Sequence, residues 1–167
     1  RAGTPARNVW GGWLVRFYGV GSDSVGAPGG SYGGYMTNWS AGHENCCKAL
    51  FTHAGVFNLE NMYGATEEIW FGDWEFGGPY WDKTAMDAVY RRWSPHLFAG
   101  NFRTPQLVVV GELDYRVPYT DGLSLFPSLP RQGVPSRLLA FPAARRWHAT
   151  PRHHGPGGGR QPPRVTD

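Results

Sequence analysis

The 167-residue chain has no apolar run near the ~18–20 residues a helix needs to cross a bilayer, so no spanning helix and no membrane partner are expected. Cysteine is almost missing. The two present, Cys46 and Cys47, are adjacent, and neighbours can bridge only through a strained ring, which excludes a disulfide framework. Their expected role is that of small side chains entering a strand. No spacing of His, Cys, Asp or Glu resembles a metal site, and no phosphate loop or cofactor motif occurs, so neither metal nor cofactor is expected. An initiator Met is also missing, and no signal-peptide apolar segment follows Arg1 to Asn8. A start of this kind is expected of a fragment, and no compartment or oligomeric state is read from it.

What the chain does have is glycine, proline and aromatics. The 24 glycines and 14 prolines make up about 23% of it, just short of the ~25–30% at which low complexity becomes the default reading. The aromatic content of 15% argues for a packed core, because disordered chains are poor in aromatics. The net charge of +3 is unevenly placed. Residues 142–167 hold Arg145, Arg146, Arg152, Arg160 and Arg164 against Asp167, so the body of the chain is close to neutral. A basic surface for nucleic acid would rest on that tail alone, and no nucleic-acid partner is expected.

Strand and helix signals alternate from residue 23 onward. Ser24–Ala27 reads as short and extended, Gly29–Gly34 as a turn, Tyr35–His43 as helical and Lys48–Ala54 as a buried strand. Residues 61–105 carry an acidic, aromatic run, Thr66 to Gly78, too aromatic for a linker and too rich in glycine for one long helix. Gln106–Gly111 is a continuous β-branched run bounded by Pro105 and Gly111, as suits a parallel strand covered on both faces. Gly122–Gln132 has helical apolar spacing, although Pro127 and Pro130 interrupt it, and Ser136–Phe141 reads as a last strand. Pro28 falls where a central strand should donate a ladder bond. This alternation predicts an α/β layer fold, and residues 1–141 are taken as its domain, although residues 1–22 show no clear period. From Pro142 the chain has four glycines, five prolines and almost no apolar side chain, so 142–167 is expected to be disordered. Its composition resembles a GC-rich sequence read out of frame.

Gly29-Gly30-Ser31-Tyr32-Gly33 is a G-x-S-x-G sequence, in which small residues make room for a sharp strand-to-helix turn that lifts a serine hydroxyl clear of the sheet. The extended run before it and the helical run after it suit a nucleophile; a flexible glycine turn is the plain alternative. The segment Gly30-Ser31-Tyr32-Gly33-Gly34-Tyr35-Met36-Thr37-Asn38-Trp39 closely resembles the nucleophile segment of the prolyl oligopeptidase family of serine peptidases. The likeness continues through His53-Ala54-Gly55-Val56-Phe57, Thr66-Glu67-Glu68-Ile69-Trp70-Phe71, Trp93-Ser94-Pro95, Gly111-Glu112-Leu113-Asp114-Tyr115-Arg116 and Gly133-Val134-Pro135-Ser136-Arg137. These segments look most like the dipeptidyl-peptidase V and acylaminoacyl-peptidase branch. The resemblance implies the C-terminal part of an α/β-hydrolase fold, a parallel sheet flanked by helices whose early strands are missing. It also implies short peptide substrates and a cofactor-free mechanism.

Residue by residue, the resemblance makes Ser31 the nucleophile and the Tyr32 backbone N–H one oxyanion donor. The second donor is, in the family, a tyrosine hydroxyl from an upstream glycine-rich segment not found in these residues. Asp114 matches the acid that orients the histidine, and Arg116 matches an arginine that binds a substrate carbonyl. Glu67 and Glu68 lie in a segment expected near a substrate amino end, or are plain solvated carboxylates. The base is where the pattern breaks. Aligned on Phe141-Pro142 and Trp147, the histidine position falls on Arg146, whose guanidinium stays protonated at neutral pH and cannot accept a proton. His148, two residues on, is the base the sequence offers, reached only if the loop takes another route. Two other readings stand beside the peptidase: a degenerate, inactive member of the family, and a carboxylesterase on the same fold.

Overall fold

The computed structural model describes residues 25–44, 47–142, 144 and 164–166. Five strands form one sheet in the order β1 (Gly26–Gly30), β2 (Ala49–His53), β3 (Gln106–Gly111), β4 (Ser136–Phe141) and β5 (Arg164–Thr166). The first four are parallel, in the register Gly29↔Thr52, Thr52↔Val108 and Val108↔Leu138; β5 runs antiparallel, with Val165 opposite Leu139. The fold is α/β with a mostly parallel sheet, as the alternation predicts, and β3 and β4 occupy the predicted residues. β5 departs from the disorder expected of 142–167 at those three residues, where Val and Thr suit an extended backbone.

The connections are helical. Helix α1 (Tyr32–His43) links β1 to β2. Between β2 and β3 lie α2 (Leu59–Ala65), α3 (Ile69–Phe76), a continuous stretch of α4 (Lys83–Ala85), π-turn (Met86–Tyr90) and α5 (Arg91–Trp93), and a 3₁₀ segment (Pro95–Asn101). Helix α6 (Tyr119–Ser128) and a 3₁₀ turn (Pro130–Gln132) join β3 to β4. Glycine and proline thus break 61–105 into short helices. α2 is capped by Asn58, whose side chain accepts from Glu60 N at 2.9 Å, and α3 stops at Gly77 in the left-handed region.

Helix α1 begins three residues earlier than the sequence predicts, because the reversal needs one residue, Ser31, rather than the whole Gly29–Gly34 run. Three glycines give it poor intrinsic propensity, at about 1 kcal/mol each relative to alanine, so packing has to hold it. Seven of its twelve residues are buried, and Trp39 sits in an aromatic group with Trp93 and Phe98, ring centroids 5.2 Å from each. Helix α6 also begins three residues before its predicted start. Pro127 is confined to its last turn and Pro130 opens the 3₁₀ turn that follows, which explains how the segment tolerates both.

Pro28 sits inside β1 without disrupting the pairing with β2. Ser31 N donates to His53 O, so odd-numbered residues of β1 face β2, and the N–H that Pro28 lacks would have pointed to the outer edge. The core beneath the sheet centres on Val108 and Val110 of β3 against Leu125, Phe126 and Leu129, with Phe102 closing it. Full burial of such a side chain contributes ~1.5–3 kcal/mol. A second cluster joins Ala54, Val56, Met62, Tyr63, Tyr90 and Val117. Cys47 packs, partly buried, against the first cluster. Among the described residues no helix is long and apolar enough to cross a membrane, and no three His, Cys, Asp or Glu side chains are grouped to hold a metal.

Candidate active site

Parallel strands put their carboxyl ends on one edge of the sheet, and that edge carries the residues singled out by sequence. Ser31 follows β1 directly. Its backbone stands at φ 57°, ψ −116°, a conformation costly for a residue with a side chain. It is held there from both sides: its N–H donates to His53 O at 2.8 Å, and its carbonyl accepts from Tyr35 N at 2.9 Å. The serine hydroxyl makes no capping bond to the helix. Tyr32 is the first residue of α1, so its backbone N–H has no carbonyl four residues back within the helix and lies at the positive end of the helix dipole.

The turn is sterically built by two glycines. A Cβ on Gly29 would stand 2.1 Å from the Gly33 carbonyl oxygen, and one on Gly34 would stand 2.6 Å from Gly55 Cα. The last glycine of the G-x-S-x-G, Gly33, has open space where its Cβ would be. Close approach thus falls on Gly29 and on Gly34, one residue outside the pattern. Behind α1, a buried polar group ties the helix to the sheet. Thr37 Oγ1 and Thr52 Oγ1 are 2.7 Å apart, while Gln106 Nε2 donates to Asn38 Oδ1 at 2.9 Å and to Thr52 Oγ1 at 2.6 Å. Asn38 Nδ2 completes it with a bond to Val56 O. Sequence reading passes over these four, since polar side chains in a strand and a helix look solvent-facing until the third dimension buries them.

Asp114 lies three residues beyond β3 and is 4% exposed. Its Oδ1 accepts from Arg116 N at 3.1 Å and from Val117 N at 3.0 Å. Its Oδ2 is buried with no hydrogen-bond partner among the described residues. A carboxylate fixed by two backbone N–H groups, with a second oxygen waiting, is arranged to receive one more donor. A depression at the same edge is lined by Ala54, Gly55, Gly111, Asp114, Val117 and Tyr119. Ala54, which leaves β2 at φ 45°, sits in its wall.

Arg116 points its Nη1 to Glu68 Oε1 at 2.9 Å, so Glu68 is an ion-pair partner rather than a plain solvated carboxylate. Two further bonds stitch the same segments: Thr66 Oγ1 donates to Arg116 O at 2.8 Å, and Glu67 N donates to Tyr115 O at 2.8 Å. Glu67 itself is exposed. His148 and Arg146 lie outside the described residues. The chain leading to them is placed at Ala144, whose carbonyl accepts from Leu113 N at 3.0 Å, beside Asp114.

A fully buried carboxyl that sequence reading misses belongs to Asp121, in the first turn of α6. Burial pushes it up to about 7, against the opposing pull of hydrogen bonds from Asn61 and from the Phe57 and Asn58 backbone. No local pattern marks it, because an acid near a helix start is ordinarily a solvated one.

A strained serine between a parallel strand and a glycine-packed helix, with a buried carboxylate two strands away on the same edge, defines the C-terminal part of an α/β-hydrolase domain. Residues 10–156 match the sequence model of the prolyl oligopeptidase family of serine peptidases, and the chain belongs to that family. It is 42% identical over 137 residues to dipeptidyl-peptidase 5 of Porphyromonas gingivalis, covering 80% of this chain and 20% of that protein. It is 40% identical over 132 residues to dipeptidyl-peptidase 5 of Schizosaccharomyces pombe, covering 78% and 19%. Among solved structures, an acylaminoacyl peptidase of Pyrococcus horikoshii superposes with a TM-score of 0.76 at 25% identity, over 86% of this chain and 23% of the other. A puromycin-hydrolyzing peptidase of Mycobacterium tuberculosis shares the fold with a TM-score of 0.73 at 22% identity, over 83% and 21%. The chain spans about a fifth of the length of these relatives.

Proposed function

We propose that the chain carries the catalytic residues of a serine peptidase acting on short peptides in the manner of a dipeptidyl- or acylaminoacyl-peptidase. Residues 1–141 are then a partial catalytic domain and 142–167 a tail. Ser31 Oγ attacks the scissile carbonyl while a histidine takes its proton, and the C–N bond breaks as the amine leaves with that proton, giving an acyl-enzyme that water hydrolyses. The Tyr32 N–H donates to the oxyanion. Asp114 holds the imidazole through Oδ2, His148 supplies that imidazole, and Arg116, steadied by Glu68, binds a substrate carbonyl. The observation that carries this reading is the buried Oδ2 of Asp114, without a hydrogen-bond partner among the described residues, on the same sheet edge as the strained Ser31. Ala144 lies beside Leu113 and four residues from His148, so an extended chain spans at most ~14 Å between them.

Hydrolysis of a dipeptide anilide and of a simple p-nitrophenyl ester tests the assignment. Anilide cleavage lost in Ser31→Ala supports the peptidase; ester cleavage alone makes the site that of a carboxylesterase. Arg146 favours a second reading, an inactive member of the family, because it occupies the aligned histidine position. If Arg146→His turns over the anilide and the parent chain does not, that second reading holds.

A further inference from the structure

Asp121 takes no part in the mechanism above, yet three elements meet on its carboxyl. Its Oδ2 accepts from Phe57 N at 3.3 Å, in the loop after β2. Its Oδ1 accepts from Asn61 Nδ2 of α2 at 2.8 Å, and the same amide reaches Thr120 Oγ1 at 3.0 Å. Helix α6, which carries Asp121, continues directly from the Asp114 segment. In the other direction the loop runs back through Gly55, packed under Gly34, to His53, whose carbonyl holds the Ser31 amide.

We propose that Asp121 is a proton-dependent tie, a positioning residue whose contacts with Phe57 and Asn61 hold the Ser31-bearing turn and the Asp114-bearing segment in one fixed relation. Ionised, it accepts at once from both of these donors and from the Asn58 backbone. Protonated, it gives the Phe57 amide a neutral acceptor, about half as strong as a charged one. Its new O–H also makes Asn61 turn its oxygen inward, which reverses the Thr120 bond, the hydroxyl now donating to the amide oxygen. Desolvation places this change near neutral pH, where it acts on the native protein.

The elements packed around Asp121 bring other ionisable groups: Glu60 and Tyr63 on α2, His96 and Arg131 in the 3₁₀ segments, and Arg137 on β4. Asp114 and Tyr119 precede it in the chain. None is among the causes that move this carboxyl, whose balance is set by burial and by hydrogen bonds from uncharged donors. The tie is independent of whether Ser31 is a nucleophile.

The test is an amide NMR titration of the full ¹⁵N-labelled chain from pH 5 to 9. The Phe57 amide and the Asn61 side-chain amide are expected to titrate with one midpoint near 7, followed by the backbone amides of Ser31 and Asp114. In Asp121→Asn, which keeps shape and can pair with a turned Asn61, that transition disappears at all four. Asn61→Ala removes a bond that favours the carboxylate, so the midpoint rises. Persistence of the transition in Asp121→Asn overturns the proposal, as does a titration of Phe57 that Ser31 and Asp114 do not follow. If Asp121→Asn fails to fold, Asn61→Ala decides: a raised midpoint supports the tie, and an unmoved one refutes it.

Discussion

At Ser31 a positive φ is imposed on a residue with a side chain, and the strain persists because neighbouring contacts leave no other arrangement. Gly34 is one of those contacts. Its Cα side meets Gly55 backbone, which cannot swing away as a side-chain end can, so Gly34→Ala is expected to lower stability by ~1–3 kcal/mol in urea unfolding. An unchanged midpoint would mean the two backbones part freely. Asp114→Asn keeps the size of the side chain but alters its hydrogen-bonding. With Asp114 orienting the base, the rate of Ser31 modification should fall by ~10³–10⁴ at unchanged circular dichroism. A rate within a few-fold of the parent would remove Asp114 from the triad.

The elements differ in how readily their sequence betrays them. β3 and β4 are legible to the residue, because each holds a short apolar run, Leu107–Val110 or Leu138–Phe141, inside limits set by Pro105 and Gly111 or by Pro135 and Pro142. The start of α1 is not, because Gly33 and Gly34 look like turn residues; the need for glycine at Gly34 follows from the close approach of Gly55, a contact across 21 positions. Ser31, Tyr32, Asp114 and Arg116 are visible through local patterns and family likeness. Gln106, Asn38 and Asp121 are hidden, since a polar residue announces burial only through partners distant in sequence. Gln106 donates one bond to Asn38 of α1 and one to Thr52 of β2, and Gln106→Leu takes one donor from each of Asn38 Oδ1 and Thr52 Oγ1. A loss of ~1–3 kcal/mol is expected in chemical denaturation, and no loss would show that the polar group adds nothing to the packing.

Across the whole molecule, the buried Asp121 gives folding a pH dependence of definite sign. Its folded pKa lies above its unfolded value, rising from 3.8 to about 7, so the native state binds the extra proton between those values. Stability therefore falls as pH rises from about 4 to 7, by on the order of a few kcal/mol, and levels off above. Comparing the melting temperature of the parent chain with that of Asp121→Asn from pH 5 to 8 isolates this group. The parent should lose ground relative to the variant up to about pH 7 and then run parallel to it, and curves parallel throughout would contradict the burial argument. The same edge of the sheet gathers the serine, the carboxylate and the route of the chain toward His148, and the central claim is that they act together. Labelling of the folded chain by a fluorophosphonate probe, with Ser31→Ala as control and circular dichroism on the same samples, tests that claim most directly. The account predicts labelling that vanishes in Ser31→Ala; a folded chain that stays unlabelled would show that the family's architecture persists here without an activated serine.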